Sequence, residues 1–332
     1  MKQEIIWDIA HLAHVEMLTP KLEESTHFFT DIMGMSVSDV KGDSVYLRAY
    51  DDYEHHTLKL TASKQPGMRH FAWRAKSEEA LQRRVSAIKK TNNAIGWNDG
   101  DLGHGPAFQY TSPDGHLTEI YFETTKYKSG KEDTSALKNT ASKFPARGIN
   151  VRRIDHLNLF AKDVRAFRNF QLENLGGLLT ETILDNLSDQ NPKAVWFAVN
   201  SKSYDLAVTE DHTGMTGRFH HVTYATNSRE EVLIAADICL ENGIYIETGP
   251  HKHTIQQTFF LYVFEPGGNR VEIANTTARL IVDPDYETVV WTQEERKKGQ
   301  AWGLPTVPTF HTRGTPMPDE MKQDFTNIKA QR

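Results

Sequence analysis

Only one cysteine, Cys239, occurs in 332 residues, so no disulfide can form within the chain and a disulfide-stapled secreted scaffold is excluded. It sits in "EEVLIAADICLENG", where apolar residues recur at helical spacing, and is expected to be buried on a helix. Long hydrophobic runs are missing as well. No stretch approaches the roughly 20 apolar residues of a membrane span, and the opening "MKQEIIWDIAHLAHVE" has no apolar run of signal-peptide length. The cytoplasm is the expected location. Blocks of like charge are absent too: 38 Lys and Arg are interspersed with 44 Asp and Glu, for a formal net charge of −6. Such a surface argues against nucleic acid as a partner and favours a small molecule. The remaining material, 38% hydrophobic, is enough for two ordinary domains, each with its own core.

Laying the chain on itself exposes a repeat. With "LAHVEM" placed on "IDHLNL", His14 meets His156, and without a gap Phe28 meets Phe170 and Gly34 meets Gly176. Each copy then reads as a strand, an amphipathic helix ("PKLEESTHFFTDIMG", "KDVRAFRNFQLENLG") and a glycine suited to a helix C-terminus. Alternating β-formers follow in "SVYLRAY" and "HTLKLTA", matched by "AVWFAVN" and "YDLAVTE". "GMRHFAWRA" matches "GRFHHVTYAT", each followed by a helical run, and each copy closes on a strand, a Pro/Gly turn and a strand. The expected fold is α+β, with the order βαβββ occurring twice in each half. The expected boundaries are an N-terminal domain over 1–128, a polar linker over 129–149, a second domain over 150–280 and an extension over 281–332. That extension opens with a strand and a helix, ends in an aperiodic Pro-rich run, and is expected to pack over the second half as a lid.

Chemistry concentrates in the second half. In "RIDHLNLF" side chains two apart share a face, so His156 and Asn158 point together, and that face must be wet or chemically occupied. His156, His221 in "FHHVT" and Glu272 in "NRVEI" fall at corresponding points of three strands. Two imidazoles and a carboxylate can hold a divalent metal on one side and leave its other positions free. Read singly, each would more simply be a satisfied strand residue; recurrence at matching positions favours the metal.

"RIDHLNLF", "RFHHVTYAT", "GPHKHTIQQTFFLYVFEPGGNRVEI" and the duplication together resemble the extradiol catechol dioxygenases of the vicinal oxygen chelate superfamily, over nearly the whole chain. The resemblance implies two vicinal-oxygen-chelate domains with curved sheets enclosing the metal site, and Fe(II), with Mn(II) as the alternative, on His156, His221 and Glu272. It implies that His253 and Tyr262 act on the substrate oxygens, that Asn158 and Trp196 line the substrate pocket, and that the assembly is a homo-oligomer, a tetramer by family pattern. The implied reaction joins a catechol and dioxygen to give a 2-hydroxymuconic semialdehyde. Trp196 could equally be core, and Asn158 could simply tie down a neighbouring strand.

Two departures stand out. Where the family carries a histidine in "xHDxA", this chain has Tyr204 in "SYDLAV", a phenol of pKa about 10 in place of an imidazole of about 6.5. Tyr204 is expected on the dioxygen side, with proton transfer leaning on His253. Where the homoprotocatechuate branch pairs arginines with a substrate carboxylate, Thr248 and Gly299 stand, with Arg296, Lys297 and Lys298 nearby, which favours an uncharged or alkyl-substituted catechol. His14, His70 and Glu119 repeat the ligand pattern in the first half, but Gln109 and Gly100 replace Tyr262 and His253 there, so that half is expected to be structural. Competing readings are another metal-dependent enzyme of the same fold, a 2-oxo-acid dioxygenase or an isomerase, and a non-catalytic small-molecule-binding protein.

Overall fold

The computed structural model describes residues 5–188, 191–275, 285–319 and 321–322. Residues 276–284, at the expected junction of second half and extension, and residues 323–332 at its end lie outside these. The first half runs β1 (Ile9–Thr19), α1 (Leu22–His27), β2 (Ser36–Lys41), β3 (Ser44–Arg48), β4 (Leu58–Ala62), β5 (Gly67–Ala75), α2 (Glu78–Ile88), β6 (Ala94–Asn98), β7 (Ala107–Thr111) and β8 (Leu117–Tyr121). The second repeats it as β9 (Arg153–Ala161), α3 (Val164–Phe170), β10 (Leu178–Leu184), β11 (Ala194–Ala198), β12 (Leu206–Glu210), β13 (Phe219–Ala225), α4 (Arg229–Glu241), β14 (Ile246–Lys252), β15 (Phe259–Phe264) and β16 (Arg270–Asn275). Each half is therefore βαβββ twice, as the repeat predicts.

Each half forms one open sheet. The strand orders are β2-β3-β4-β1-β5-β8-β7-β6 and β14-β15-β16-β13-β9-β12-β11-β10. In both, the opening strands of the two modules meet antiparallel at the centre, β1 with β5 and β9 with β13. Strands β5–β8 and β13–β16 pair in parallel beside that seam. The central strands thus present side chains from both modules to one concavity.

Helices α1 and α3 end sooner than periodicity suggests and continue in a wider turn, where Met33 N–H donates to Phe28 O and Gly176 N–H to Gln171 O across five residues. Gly34 and Gly176 then reverse the chain with φ of +79° and +85°. A side chain at Gly34 would sit 2.3 Å from the Arg147 carbonyl oxygen, so strain and crowding both demand glycine there. Cys239 is buried on α4. Among the described residues no helix is long and apolar enough to cross a membrane.

The extension adds β17 (Val289–Thr292) in parallel to the β10 edge and continues as α5 (Gln293–Gly299). Thr292 and Glu295 form a reciprocal capping box that starts α5. Two buried arginines then clamp the aperiodic run. Arg218 donates to Thr312 O and Gly314 O, and Arg270, paired with Glu247 at 2.6 Å, donates to Arg313 O. Removing Glu247 alone would leave the Arg270 charge buried and uncompensated, at a cost of about 3–5 kcal/mol.

Candidate metal and substrate site

The second sheet brings His156 from β9, His221 from β13 and Glu272 from β16 to one point. Each offers a donor atom, and these lie within 4.8 Å of one another. Glu272 Oε2 is 3.0 Å from His156 Nε2 and 3.2 Å from His221 Nε2. The register explains the convergence: Thr223 on β13 faces both His156 and Glu272 across its neighbouring strands. His221, two residues earlier, shares Thr223's face.

The surrounding hydrogen bonds orient the ligands. His156 Nδ1 donates to Asp155 at 2.8 Å. Arg270 Nη1 lies 3.1 Å from His220 Nδ1 and can only donate, so that nitrogen is unprotonated; its single lone pair is shared with the His221 Nδ1–H at 2.6 Å. That fixes the His221 tautomer with its Nε2 lone pair turned inward. His221 Nε2 and Glu272 Oε1 are both buried without a hydrogen-bond partner. Unsatisfied buried donor atoms at a converging cluster are what a divalent cation would complete, so the residues present fit a metal.

Electrostatics agree. Burial opposes charge on Glu272, but the imidazoles of His156, His221 and His253 gathered around it outweigh that and hold the carboxyl well below the ordinary carboxylate range. Burial lowers His221 to about 4, against the pull of Glu272, so that ring is neutral and ready to ligate. His156 is raised, because Asp155 and Glu272 overcome its burial. A metal must displace its proton.

The other candidate residues surround this cluster. Tyr262 lies opposite Glu272 on β15, and its hydroxyl is 3.0 Å from His253 Nε2. His253 Nε2 in turn is 3.4 Å from Glu272 Oε1. The Tyr204 ring lies against His156 with centroids 4.3 Å apart. Burial, then the Glu272 charge, raises Tyr204 and Tyr262 well above the usual phenol range, so both remain hydrogen-bond donors at neutral pH. Asn158 and Trp196 both line the cavity, and each also does its blander job: Asn158 accepts from Thr209 at 3.2 Å, and Trp196 packs against a small cluster of Ile183, Ala194 and Ile255.

Three contributors escape a reading by sequence pattern, and a fourth, Arg296, is named from the sequence without its direction. Thr223 bridges His156 Nε2 and Glu272 Oε2 at 2.9 and 2.6 Å; its place in "HHVT", two after His221, was the available signal. From the extension, Gln300 meets His253 Nδ1 at 3.0 Å, Phe310 packs against Tyr262, and Arg296 enters the cavity wall. That last placement alters the expected picture of the pocket. Thr248 and Gly299 are not among its lining residues, and Lys297 and Lys298 are exposed, whereas Arg296 is buried and has no acidic partner among the described residues.

The profile of the Glyoxalase/Bleomycin resistance protein/Dioxygenase superfamily matches residues 11–120 and 153–273, one segment in each half. The chain is 42% identical to the metapyrocatechase of Geobacillus stearothermophilus over 95% of this chain and 96% of that one. It is 35% identical to the manganese-dependent 2,3-dihydroxybiphenyl 1,2-dioxygenase of Geobacillus genomosp. 3, over 94% and 98%. The structure superposes on homoprotocatechuate 2,3-dioxygenase from Arthrobacter globiformis with a TM-score of 0.82, covering 94% of each chain at 26% identity. Agreement at this level in sequence, connectivity and sheet order leaves one assignment: the chain belongs to the glyoxalase/bleomycin resistance protein/dioxygenase superfamily, among its extradiol ring-cleaving dioxygenases.

Proposed function

We propose that the enzyme cleaves catechol or an alkylcatechol beside its diol, with dioxygen, to a 2-hydroxymuconic semialdehyde, using Fe(II) on His156, His221 and Glu272, with Mn(II) as the alternative ion. Both ions accept this donor set, and one close relative is named for manganese. The observation that carries the reading is the His253–Tyr262 pair, 3.0 Å apart and aimed at the Glu272 side of the ligands. When bound, the metal supplies Lewis acidity and an electronic link between an aromatic diol and dioxygen.

The protein's own groups do the rest. His253 can take a hydroxyl proton at Nε2, because Gln300 can either donate to its Nδ1 or accept from it, serving both tautomers. Tyr262 donates a hydrogen bond to the oxygen left negative. Tyr204, kept protonated by burial, has its ring against His156 and its hydroxyl 3.3 Å from Thr258 Oγ1, and would turn that hydroxyl to the dioxygen side. Asn158 and Trp196 hold the ring edge, and Phe310 closes the cavity on the Tyr262 side, which excludes water and strengthens these interactions.

Arg296 supports a second reading, in which the ring bears a carboxylate. Comparing kcat/KM for catechol, 4-methylcatechol and 3,4-dihydroxyphenylacetate decides between them. The first reading expects the two uncharged catechols to be preferred at least about tenfold, the discrimination of roughly 1.4 kcal/mol. Preference for the acid, lost in Arg296→Met, would replace it.

A further inference from the structure

The first sheet repeats the metal-binding geometry. His14 on β1, His70 on β5 and Glu119 on β8 are buried, with one donor atom each inside the same 4.8 Å span. His14 Nε2 is 3.1 Å from His70 Nε2, and His70 Nε2 is 3.5 Å from Glu119 Oε2. The two rings cross at 85° with centroids 5.2 Å apart, against 77° and 5.6 Å for His156 and His221. Between two facing imidazole nitrogens only one proton can sit, and a divalent ion that displaced it would find a lone pair on each ring.

Position matching with the second half leads one to expect a bare trio here, since Gln109 and Gly100 replace Tyr262 and His253. The structure supplies orienting partners from other positions. Glu16 lies across the strand pair from His70 and accepts from its Nδ1 at 3.1 Å, the carboxylate–histidine arrangement that turns the Nε2 lone pair inward. Asn98 and Gln109 both donate to Glu119 Oε1, at 2.8 and 2.7 Å, leaving Oε2 for the centre. His14 Nδ1 is buried without a hydrogen-bond partner. Ala72 faces both His14 and Glu119, where the second half has Thr223, so no hydroxyl competes for the central position.

The surroundings suit a cation. The trio opens on a cavity of about 320 Å³ whose charged lining, with the histidines neutral, is Glu16, Asp101 and Glu119 against Lys59 and Arg69, an excess of one negative charge. Lys59 is engaged by Asp101 at 2.6 Å and by Glu16 at 3.6 Å, so its ammonium charge is matched by two carboxylates outside the trio. Imidazole ligands select first-row transition ions over magnesium or calcium.

We propose that the N-terminal half holds a second divalent transition-metal ion on His14, His70 and Glu119. Among the described residues the histidine and tyrosine beside it, His104 and Tyr121, are stacked rings with centroids 4.4 Å apart rather than a hydrogen-bonded pair like His253 and Tyr262, so this ion serves the fold: it ties β1, β5 and β8 together at the seam between the two modules. The inference is independent of which catechol the second half cleaves.

Metal counting tests it. The full-length protein is loaded with Mn(II) under anaerobic conditions, dialysed, and its metal measured by mass spectrometry. The expected result is two ions per chain, one on each trio, falling to one in Glu119→Ala and to one in Glu272→Ala. Glu119→Gln, which keeps the hydrogen bonds of Asn98 and Gln109 to a side-chain carbonyl, guards against a misfolded alanine variant and is also expected to hold one. One ion in the wild type with none in Glu272→Ala would overturn the proposal. So would two ions that survive both Glu119 substitutions.

Discussion

Glu272→Ala is expected to abolish ring cleavage and to empty the C-terminal site. Glu272 is the only carboxylate of that trio, it is fully buried, and it receives three histidines. Alanine leaves two imidazoles and no counter-charge for a divalent ion. Loss of the several kcal/mol of charge stabilisation that such an ion provides corresponds to at least about a thousandfold in kcat/KM, at about 1.4 kcal/mol per decade. Acid should reproduce the defect reversibly. The raised His156 takes up a proton at a pH above the ordinary histidine value of about 6.5, while Glu272 stays ionised. Metal affinity is therefore full on the alkaline side of the His156 titration and falls as pH drops through it, with proton release on rebinding. Titration of metal affinity between pH 5 and 8 measures this; an affinity flat over that range would mean that His156 is not a ligand.

His253→Ala should leave the metal in place and slow turnover. His253 touches Glu272 only at 3.4 Å and contributes no close donor to the trio, yet it stands 3.0 Å from the Tyr262 hydroxyl. Loss of a positioned general base typically costs about 10²–10⁴ in rate. The expected signature is a drop of that size in kcat with unchanged metal content, partial recovery at high pH where the catechol ionises unaided, and a weaker effect from Gln300→Ala, which removes only the partner at Nδ1. A His253→Ala enzyme with normal kcat and a raised KM would assign the residue to binding alone.

The duplication was legible because strand periodicity and unspaced matches survive in the chain itself: His14 on His156 and Gly34 on Gly176 needed no structure. The βαβββ order and the C-terminal trio followed from it. What stayed hidden depends on register and on the extension. Thr223 bridges two ligands only because β9 and β16 flank β13 with Thr223 facing both, a fact about pairing that alternation within one strand does not carry. Arg296 lies on α5, an expected helix whose facing side alternation could not give, Gln300 follows directly after it, and Phe310 comes from the aperiodic run that Arg218 and Arg270 hold by the carbonyls of Thr312 and Arg313. The partners of the N-terminal trio were hidden for a related reason. Matching positions looked for Tyr262 and His253 and found Gln109 and Gly100, but Gln109 orients Glu119 directly, and Glu16 and Asn98 supply the other partners from positions with different roles in the second half.

The most direct measurement is of the ring-fission product. Protein reconstituted anaerobically with Fe(II), and in parallel with Mn(II), is mixed with catechol and then opened to air while absorbance is followed. The account predicts a yellow 2-hydroxymuconic semialdehyde formed with one dioxygen consumed per catechol, and no colour from the His221→Ala variant. Bound metal and bound catechol without yellow product under either ion would contradict it, and would mean that Tyr204, in the place of the family's histidine, marks a different chemistry.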